Sequence, residues 1–322
     1  MRVLATARLV AAFALLCGAS PAAQGQLPTA VQPFPRGLTG VLAFQSDSRG
    51  PSNPSGHVRL FTLDLATGAI AALTGANAWD DEQPRWSPDG RRIAFKSNRN
   101  GTTNYDLYVM DADGQNLVRI TDHPAHDFDP AWLPDGESLV FSSARDSRAD
   151  LYRVWLSDLR VDRLTDHFAG RAIMPTVSPN GAWVAFTAQT LPQAGGWTYQ
   201  IHVLELTTNM TWAFDESGPA CWPSWSPDGQ SIAHVLLARE PTVVQTLSSF
   251  GTSPQPLVGD PTRWHYYPDW SPDGQLLAVS VSPQHSVGED WDLAIVDPTR
   301  STPYQRLTTG AANDRLPDWR PR

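Results

Sequence analysis

The stretch Trp86-Ser87-Pro88-Asp89-Gly90, followed at once by Arg92-Ile93-Ala94-Phe95, decides the fold, because it returns along the chain. Its turn recurs as Trp132-Leu133-Pro134-Asp135-Gly136, Val177-Ser178-Pro179-Asn180-Gly181, Trp225-Ser226-Pro227-Asp228-Gly229 and Trp270-Ser271-Pro272-Asp273-Gly274, and the chain ends on a partial copy, Trp319-Arg320-Pro321-Arg322. Successive prolines lie 46, 45, 48, 45 and 49 residues apart. Proline presets φ, Asp or Asn bonds the local backbone, and Gly takes positive φ, so each copy predicts a tight hairpin turn. A short apolar run follows each turn, as in Ser138-Leu139-Val140-Phe141 or Trp183-Val184-Ala185-Phe186. A second alternating run comes next (Asp106-Leu107-Tyr108-Val109-Met110), then Asp111-Ala112-Asp113-Gly114, then a third run, Val118-Arg119-Ile120-Thr121. Four short strands in such a period make one propeller blade.

Working outward, six units fill the chain from about residue 38 to 322. Gly40-Val41-Leu42-Ala43-Phe44 matches the run after each turn, but no Trp strand precedes it. The missing strand is at the other end, in Leu316-Pro317-Asp318-Trp319. The expected fold is therefore all-β: a closed six-bladed propeller of four-stranded blades. The C-terminal strand joins the N-terminal strands, which removes exposed sheet edges.

Ahead of the ring, Arg2 and Arg8 flank the apolar run Leu9 to Cys17, and small residues follow through Ala23. The run is too short to span a bilayer and predicts a cleaved signal peptide over residues 1–23, hence an exported, periplasmic or extracellular protein. Leu16 fits a lipoprotein cleavage site poorly, so lipidation of Cys17 is not expected. Residues 24–37 read as a Pro-rich linker, and no later run reaches membrane length. After cleavage Cys221 stands alone, between Ala220 and Trp222, and reads as a buried structural thiol.

Composition narrows the function classes. With 41% hydrophobic residues and 13 Trp, the chain can bury a large core. Its net charge is −9, and Lys96 is the one lysine, so no basic footprint for nucleic acid exists.

The turn, the Ile-Ala-Phe run, Ser97-Asn98-Arg99-Asn100-Gly101, Asp-Leu-Tyr-Val-Met-Asp and Arg-Ile-Thr together resemble the TolB-type WD40-like propeller repeat. The resemblance spans all six units. The units at 182–229 and 230–274 depart most: Val177 replaces the Trp, and Ala233-His234-Val235 replaces the usual apolar-aromatic run. TolB itself has an α/β domain ahead of its propeller, which finds no counterpart between the signal and the first strand here. The likeness is thus to the propeller and not to TolB proper, and it implies a binding role.

Chemistry is expected on the loops that lead into the inner strands, on the face opposite the Pro-Asp-Gly turns. Three residues before each loop proline stand Asp81, Asp127, Ala172, Ala220, His265 and Asp314. Around the ring His265, Asp314, Asp81 and Asp127 fall in consecutive blades, which predicts an acidic arc at the channel mouth. Carboxylates suit hard cations and the histidine adds transition metals, making these four candidate metal ligands; the alternative is that each Asp pins its loop. Trp222, Trp264 and Tyr266 are the expected aromatic anchors, in a loop set that also holds Trp79, Phe128 and Tyr267. Arg263 and Arg315 stand close enough in sequence to pair with the arc. His123 and His126 share a loop without fixed geometry and read as repeat features, and Asn209-Met210-Thr211 is a glycosylation acceptor only in a eukaryotic host.

No nucleophile elbow, phosphate loop or dinucleotide fingerprint is present. The reading that results is a monomeric, non-enzymatic scaffold needing no cofactor. It would take a protein or peptide partner of the bacterial envelope, carrying a basic element, at Asp81, Asp127, Trp222, Trp264, His265, Tyr266 and Asp314. The alternatives are a metal-dependent polysaccharide-active enzyme, since oligogalacturonate lyases resemble this repeat family and use metal at the propeller mouth, and a glycan-binding protein.

Overall fold

Every blade is an antiparallel meander in which the second strand is hidden by the blades on either side. A computed structural model describes residues 27–321, apart from 50–52, 76–77, 102, 191–197, 215–217, 238–240, 249–254, 257–261, 284–289 and 300–303. The expected signal peptide and the start of the expected linker lie outside the described residues.

Six four-stranded sheets form the ring. Blade 1 contains Val41–Ser46, Arg59–Asp64 and Ile70–Ala72; blade 2 contains Asp81–Trp86, Arg92–Ser97, Asp106–Asp111 and Val118–Arg119. Blade 3 is Asp127–Trp132, Ser138–Ser143, Asp150–Trp155 and Val161–Arg163, and blade 4 is Arg171–Val177, Trp183–Thr190, Thr198–Glu205 and Thr211–Ala213. Blade 5 is Ala220–Trp225, Ser231–Leu236, Val243–Ser248 and Gln255–Pro256, and blade 6 is Trp264–Trp270, Leu277–Ser282, Asp292–Val296 and Gln305–Arg306. The inner strand of blade 1 comes from the other end of the chain. Arg315–Trp319 pairs antiparallel with Val41–Ser46, with Leu42 opposite Trp319 and Gln45 opposite Arg315. The closure expected from the frame of the repeats is the observed one.

The second strands read as unbroken apolar runs because both of their faces are covered. Phe44, Phe95, Phe141 and Phe186 are completely buried, and the clusters they enter join residues of adjacent blades. The Arg-Ile-Thr element, or its counterpart ending in Thr, closes blades 1, 2, 3 and 6 from outside. The hydroxyls of Thr74, Thr121, Thr165 and Thr308 accept the N–H of Leu60, Leu107, Leu151 and Leu293 at 2.9–3.0 Å. In three blades the arginine of that element reaches back to the first Asp of the third strand: Arg119 to Asp106, Arg163 to Asp150 and Arg306 to Asp292. The Ser-Pro-Asp-Gly turn is held by its own side chains. In blade 2 the Ser87 hydroxyl donates to Asp89 at 2.6 Å and accepts from the Arg92 N–H, while Gly90 sits at φ 64°.

The segment that reads as a linker is in part attached. Thr29–Ala30 pairs antiparallel with Thr308–Thr309, Val31 N–H donates to the Leu307 carbonyl, and Phe34 packs on the cluster of Leu42, Phe44 and Leu63. Phe34 of this segment and the adjoining Leu38 find a partly buried seat at the junction of blades 6 and 1, which a proline count does not reveal.

Candidate functional site: the axial channel

The inner strands do not run straight into the channel. Each carries an X-Pro pair at the same place: Gln83-Pro84, Asp129-Pro130, Met174-Pro175, Trp222-Pro223, Tyr267-Pro268 and Leu316-Pro317. All six X residues adopt φ between 52° and 58°, and the ladder slips at the pair in every blade. Proline has no N–H to give the ladder, so a bulge at that point costs no hydrogen bond. A left-handed non-glycine residue costs on the order of 1–2 kcal/mol, so this repeated strain must be held from outside.

The neighbouring blade holds it. In five of the six strands the freed N–H of X turns toward the preceding blade and finds a side chain there. Gln83 N–H donates to Gln45 Oε1 (2.9 Å), Asp129 N–H to Gln83 Oε1 (2.8 Å), and Met174 N–H to Asp129 Oδ2 (3.0 Å). Trp222 N–H donates to Thr187 Oγ1 (3.1 Å) and Leu316 N–H to Ser280 Oγ (3.2 Å). This belt fastens blade to blade and directs the X side chains to the channel.

A second, partial belt is made by the residue before the inner-strand tryptophan in two strands, Asp318 and Asp269. Asp318 accepts the Trp86 N–H of the next blade at 2.5 Å and Arg85 Nη1 at 3.2 Å, and Asp269 accepts the Trp319 N–H at 2.6 Å. Burial, reinforced by the neighbouring Asp318, holds Asp269 well above the usual carboxylate range. Burial raises Asp318 as well, against the pull of Arg85. Asp129 is raised by burial and drawn back by Lys96 and by the Met174 N–H. Between the belts and the ring of turn prolines is a cavity of about 460 Å³, walled by Met174, Trp222, Tyr267 and Leu316 and bordered by Asp129, Asp269, Asp318 and Arg85. Trp222 meets Tyr267 edge to face at 4.8 Å between ring centres, which fixes both rings in the wall.

The residues expected at the mouth lie elsewhere, with one exception. Asp81 and Asp127 have no exposed surface; Arg99 donates to Asp81 at 2.6 Å, and Arg145 spans both oxygens of Asp127 at 2.9 and 3.0 Å. Each arginine also lies over a buried aromatic pair of its own blade, Phe95 and Tyr108 or Phe141 and Tyr152. The acidic arc is thus neutralised from within, by the Arg of the Ser-x-Arg element that follows the second strand. Asp314 is buried and pushed up to about 7 by that burial, against bonds from Ser46 and Thr308. His265 is buried edge-on to Tyr304, and Tyr266 is buried in the core beside Trp291. Trp264 is half-buried against the same cluster. Of the seven, Trp222 alone lines the channel. Among the described residues no three of His, Cys, Asp and Glu are grouped as ligands of a metal ion, so Asp81, Asp127, His265 and Asp314 do not assemble into one there.

Tyr267, Asp129, Asp269 and Asp318 were the side chains to find. Their signal is the X-Pro pair itself, which occurs in all six inner strands and marks the bulge.

Ring, bulged inner strands and channel define a six-bladed β-propeller. Residues 51–209 match the TolB beta propeller domain, and the six blades are arranged as in TolB-like propellers. The crystal structure of TolB from Acinetobacter baumannii superposes with a TM-score of 0.73 at 21% identity, over 90% of this chain and 68% of that one. An oligogalacturonate lyase in complex with manganese superposes with a TM-score of 0.51 at 16% identity, over 70% of this chain and 64% of that one. In sequence, the uncharacterized protein Atu1656 of Agrobacterium fabrum is 29% identical over 157 residues, which is 47% of this chain and 53% of the relative. The chain therefore matches about half the length of that curated relative. Among the described residues no helix is long and apolar enough to cross a membrane.

Proposed function

We propose that the protein is an exported, non-enzymatic scaffold that receives a segment of a protein or peptide partner of the bacterial envelope in its axial channel. The observation that carries this reading is the channel: an aromatic and aliphatic wall set beside three carboxylates and a single guanidinium. Such a cavity favours a segment with an apolar side chain and a basic group, because the wall desolvates the first and the second, on entering, stabilises the ionised form of the Asp269–Asp318 pair and displaces its proton to solvent. The strained X residues, five of them fixed by interblade bonds, keep this surface rigid before a partner arrives, which lowers the entropic cost of binding. Asp81, Asp127, Trp264, His265, Tyr266 and Asp314 serve the site indirectly, by fastening the segments that enter the inner strands, while Trp222 faces the partner. The mature chain acts as a monomer.

The test is capture of envelope proteins by the purified chain and by two variants, Trp222→Ala and Asp269→Asn/Asp318→Asn. A specific partner should be lost with the first. With the second it should be held less tightly, with a weaker dependence on salt. Equal capture by all three proteins would remove the channel from consideration. The likeness to oligogalacturonate lyase rests on the fold, and no grouped ligand set among the described residues adds to it.

A further inference from the structure

The crevices between blades are filled differently around the ring. Between blades 2 and 3, Arg92 lays its guanidinium over the Trp132 ring at 4.9 Å and donates through Nη2 to the Gly136 carbonyl at 2.8 Å. Between blades 1 and 2, Arg320 does the same from a different place in the repeat. It lies over the Trp86 ring at 5.0 Å, and its Nε donates to the Gly90 carbonyl at 2.9 Å. The acceptor is the same piece of repeat both times, the inner-strand indole together with the carbonyl of the turn glycine.

Blade 5 presents that piece again, as Trp225 and Gly229. The place that Arg92 holds in blade 2 is taken in blade 4 by Trp183, which turns edge-on to Trp212 at 5.3 Å and 80°. A cavity of about 740 Å³ lies between blades 4 and 5, walled by Trp183, Trp212, Phe214 and Trp225, with Asp228 and Gly229 at its border. The indole Nε1 of Trp225 is buried without a hydrogen-bond partner, as is that of Trp86 beneath Arg320, whereas those of Trp132 and Trp270 donate to the Arg85 and Ser224 carbonyls. Bonds from the Ser226 hydroxyl and the Gln230 N–H hold the Asp228 carboxyl below its ordinary range, so it is ionised at neutral pH. Trp212 is 41% exposed, which leaves the cavity open to solvent.

We propose that this crevice is a receptor for the guanidinium of an arginine side chain carried by a peptide or protein partner. Aromatic faces beside a carboxylate attract a cation. Among biological cations, guanidinium alone offers a plane to stack on the indole together with N–H groups to give the turn carbonyl, as Arg92 and Arg320 do within this molecule. The crevice adjoins the channel across Pro179, and the proposal does not depend on the channel's role.

The probe is a capped peptide, acetyl-Gly-Arg-Gly-amide, titrated into the full chain while indole fluorescence is followed. Its lysine and citrulline analogues serve as comparisons. The arginine peptide should bind at least tenfold tighter than either analogue. Trp183→Arg supplies the guanidinium from inside, as Arg92 does between blades 2 and 3. It should weaken the probe at least tenfold without lowering the melting temperature. If Trp183→Arg does not fold, Trp212→Ala, at the exposed rim, should weaken it comparably. No binding at 10 mM, equal binding of the three peptides, or undiminished binding by both variants would overturn the proposal. Loss of the probe in Asp269→Asn/Asp318→Asn but not in Trp183→Arg would overturn it too, by placing the guanidinium in the channel.

Discussion

Ending the chain after Asp314 removes the strand that closes the ring, and the structure allows the cost to be worked out. Trp319 and Leu316 are both more than nine-tenths buried, Trp319 in the cluster that joins blades 6 and 1 and Leu316 in the channel wall. Emptying such sites costs about 3–5 kcal/mol for a Trp and about 2–5 kcal/mol for a Leu. Asp318 also leaves, so the Trp86 N–H and the Arg85 guanidinium lose their acceptor, and Val41–Ser46 becomes an unpaired edge. A buried N–H without a partner costs a further 1–3 kcal/mol or so. Together these approach the whole stability of a typical domain, about 5–15 kcal/mol. The truncated chain should therefore lack near-ultraviolet circular dichroism and a cooperative melt, or appear only as aggregate. Adding a peptide of residues 311–322 in trans should restore part of both signals. A truncated chain that melts cooperatively within a few degrees of the intact one would refute the closure argument.

Four further outcomes follow from the same contacts. Arg99→Ala strands the fully buried Asp81 carboxylate and should lower stability by about 3–5 kcal/mol in a urea melt, with Arg145→Ala matching it through Asp127. Asp269, Asp318 and Asp314 all have folded pKa values above those of the unfolded chain, Asp314 at about 7. The folded protein thus keeps protons that the unfolded chain releases, and stability should fall as pH rises from about 4 toward neutrality. Asp269→Asn, which keeps an oxygen for the Trp319 N–H, should flatten that fall in a series of thermal melts. Tyr266→Ala should lower the melting temperature by several degrees more than Trp222→Ala, since the first ring is in the core and the second lines the channel. Burial raises the Cys221 thiol, so a thiol reagent should label it only at the rate of unfolding.

The repeat made the fold legible because one local signal, a turn fixed by its own Ser, Pro, Asp and Gly, recurs at a nearly constant period. Closure was legible from the frame of the two ends. The site was harder to read, for a reason visible at Asp81. Its spacing marked it as special, but the same spacing serves an inward ion pair as well as an outward ligand. The deciding residue, Arg99, lies 18 positions on, in the turn after the next strand. The X-Pro pair was present in all six inner strands, yet its effect appears only once blades stand side by side, because the N–H that the bulge releases is bonded by the preceding blade. Trp222 is an expected anchor that does line the channel, whereas Tyr267, next to the expected anchor Tyr266, is the one of that pair that faces it. A one-residue change of side decides between core and wall in a strand. The seat of Phe34 was hidden for a similar reason, since its partners come from blade 1 and from the last strands of the chain.

The central claim is that the axial channel receives a partner, and the most direct measurement is site-specific photo-crosslinking in cells that export the protein. A photoreactive residue at position 174, in the channel wall, is compared with one at position 159, an exposed turn outside it. The account predicts one discrete adduct from position 174, diminished when Trp222→Ala is added, and none from position 159. Adducts from position 159 alone, or no adduct from position 174, would contradict it.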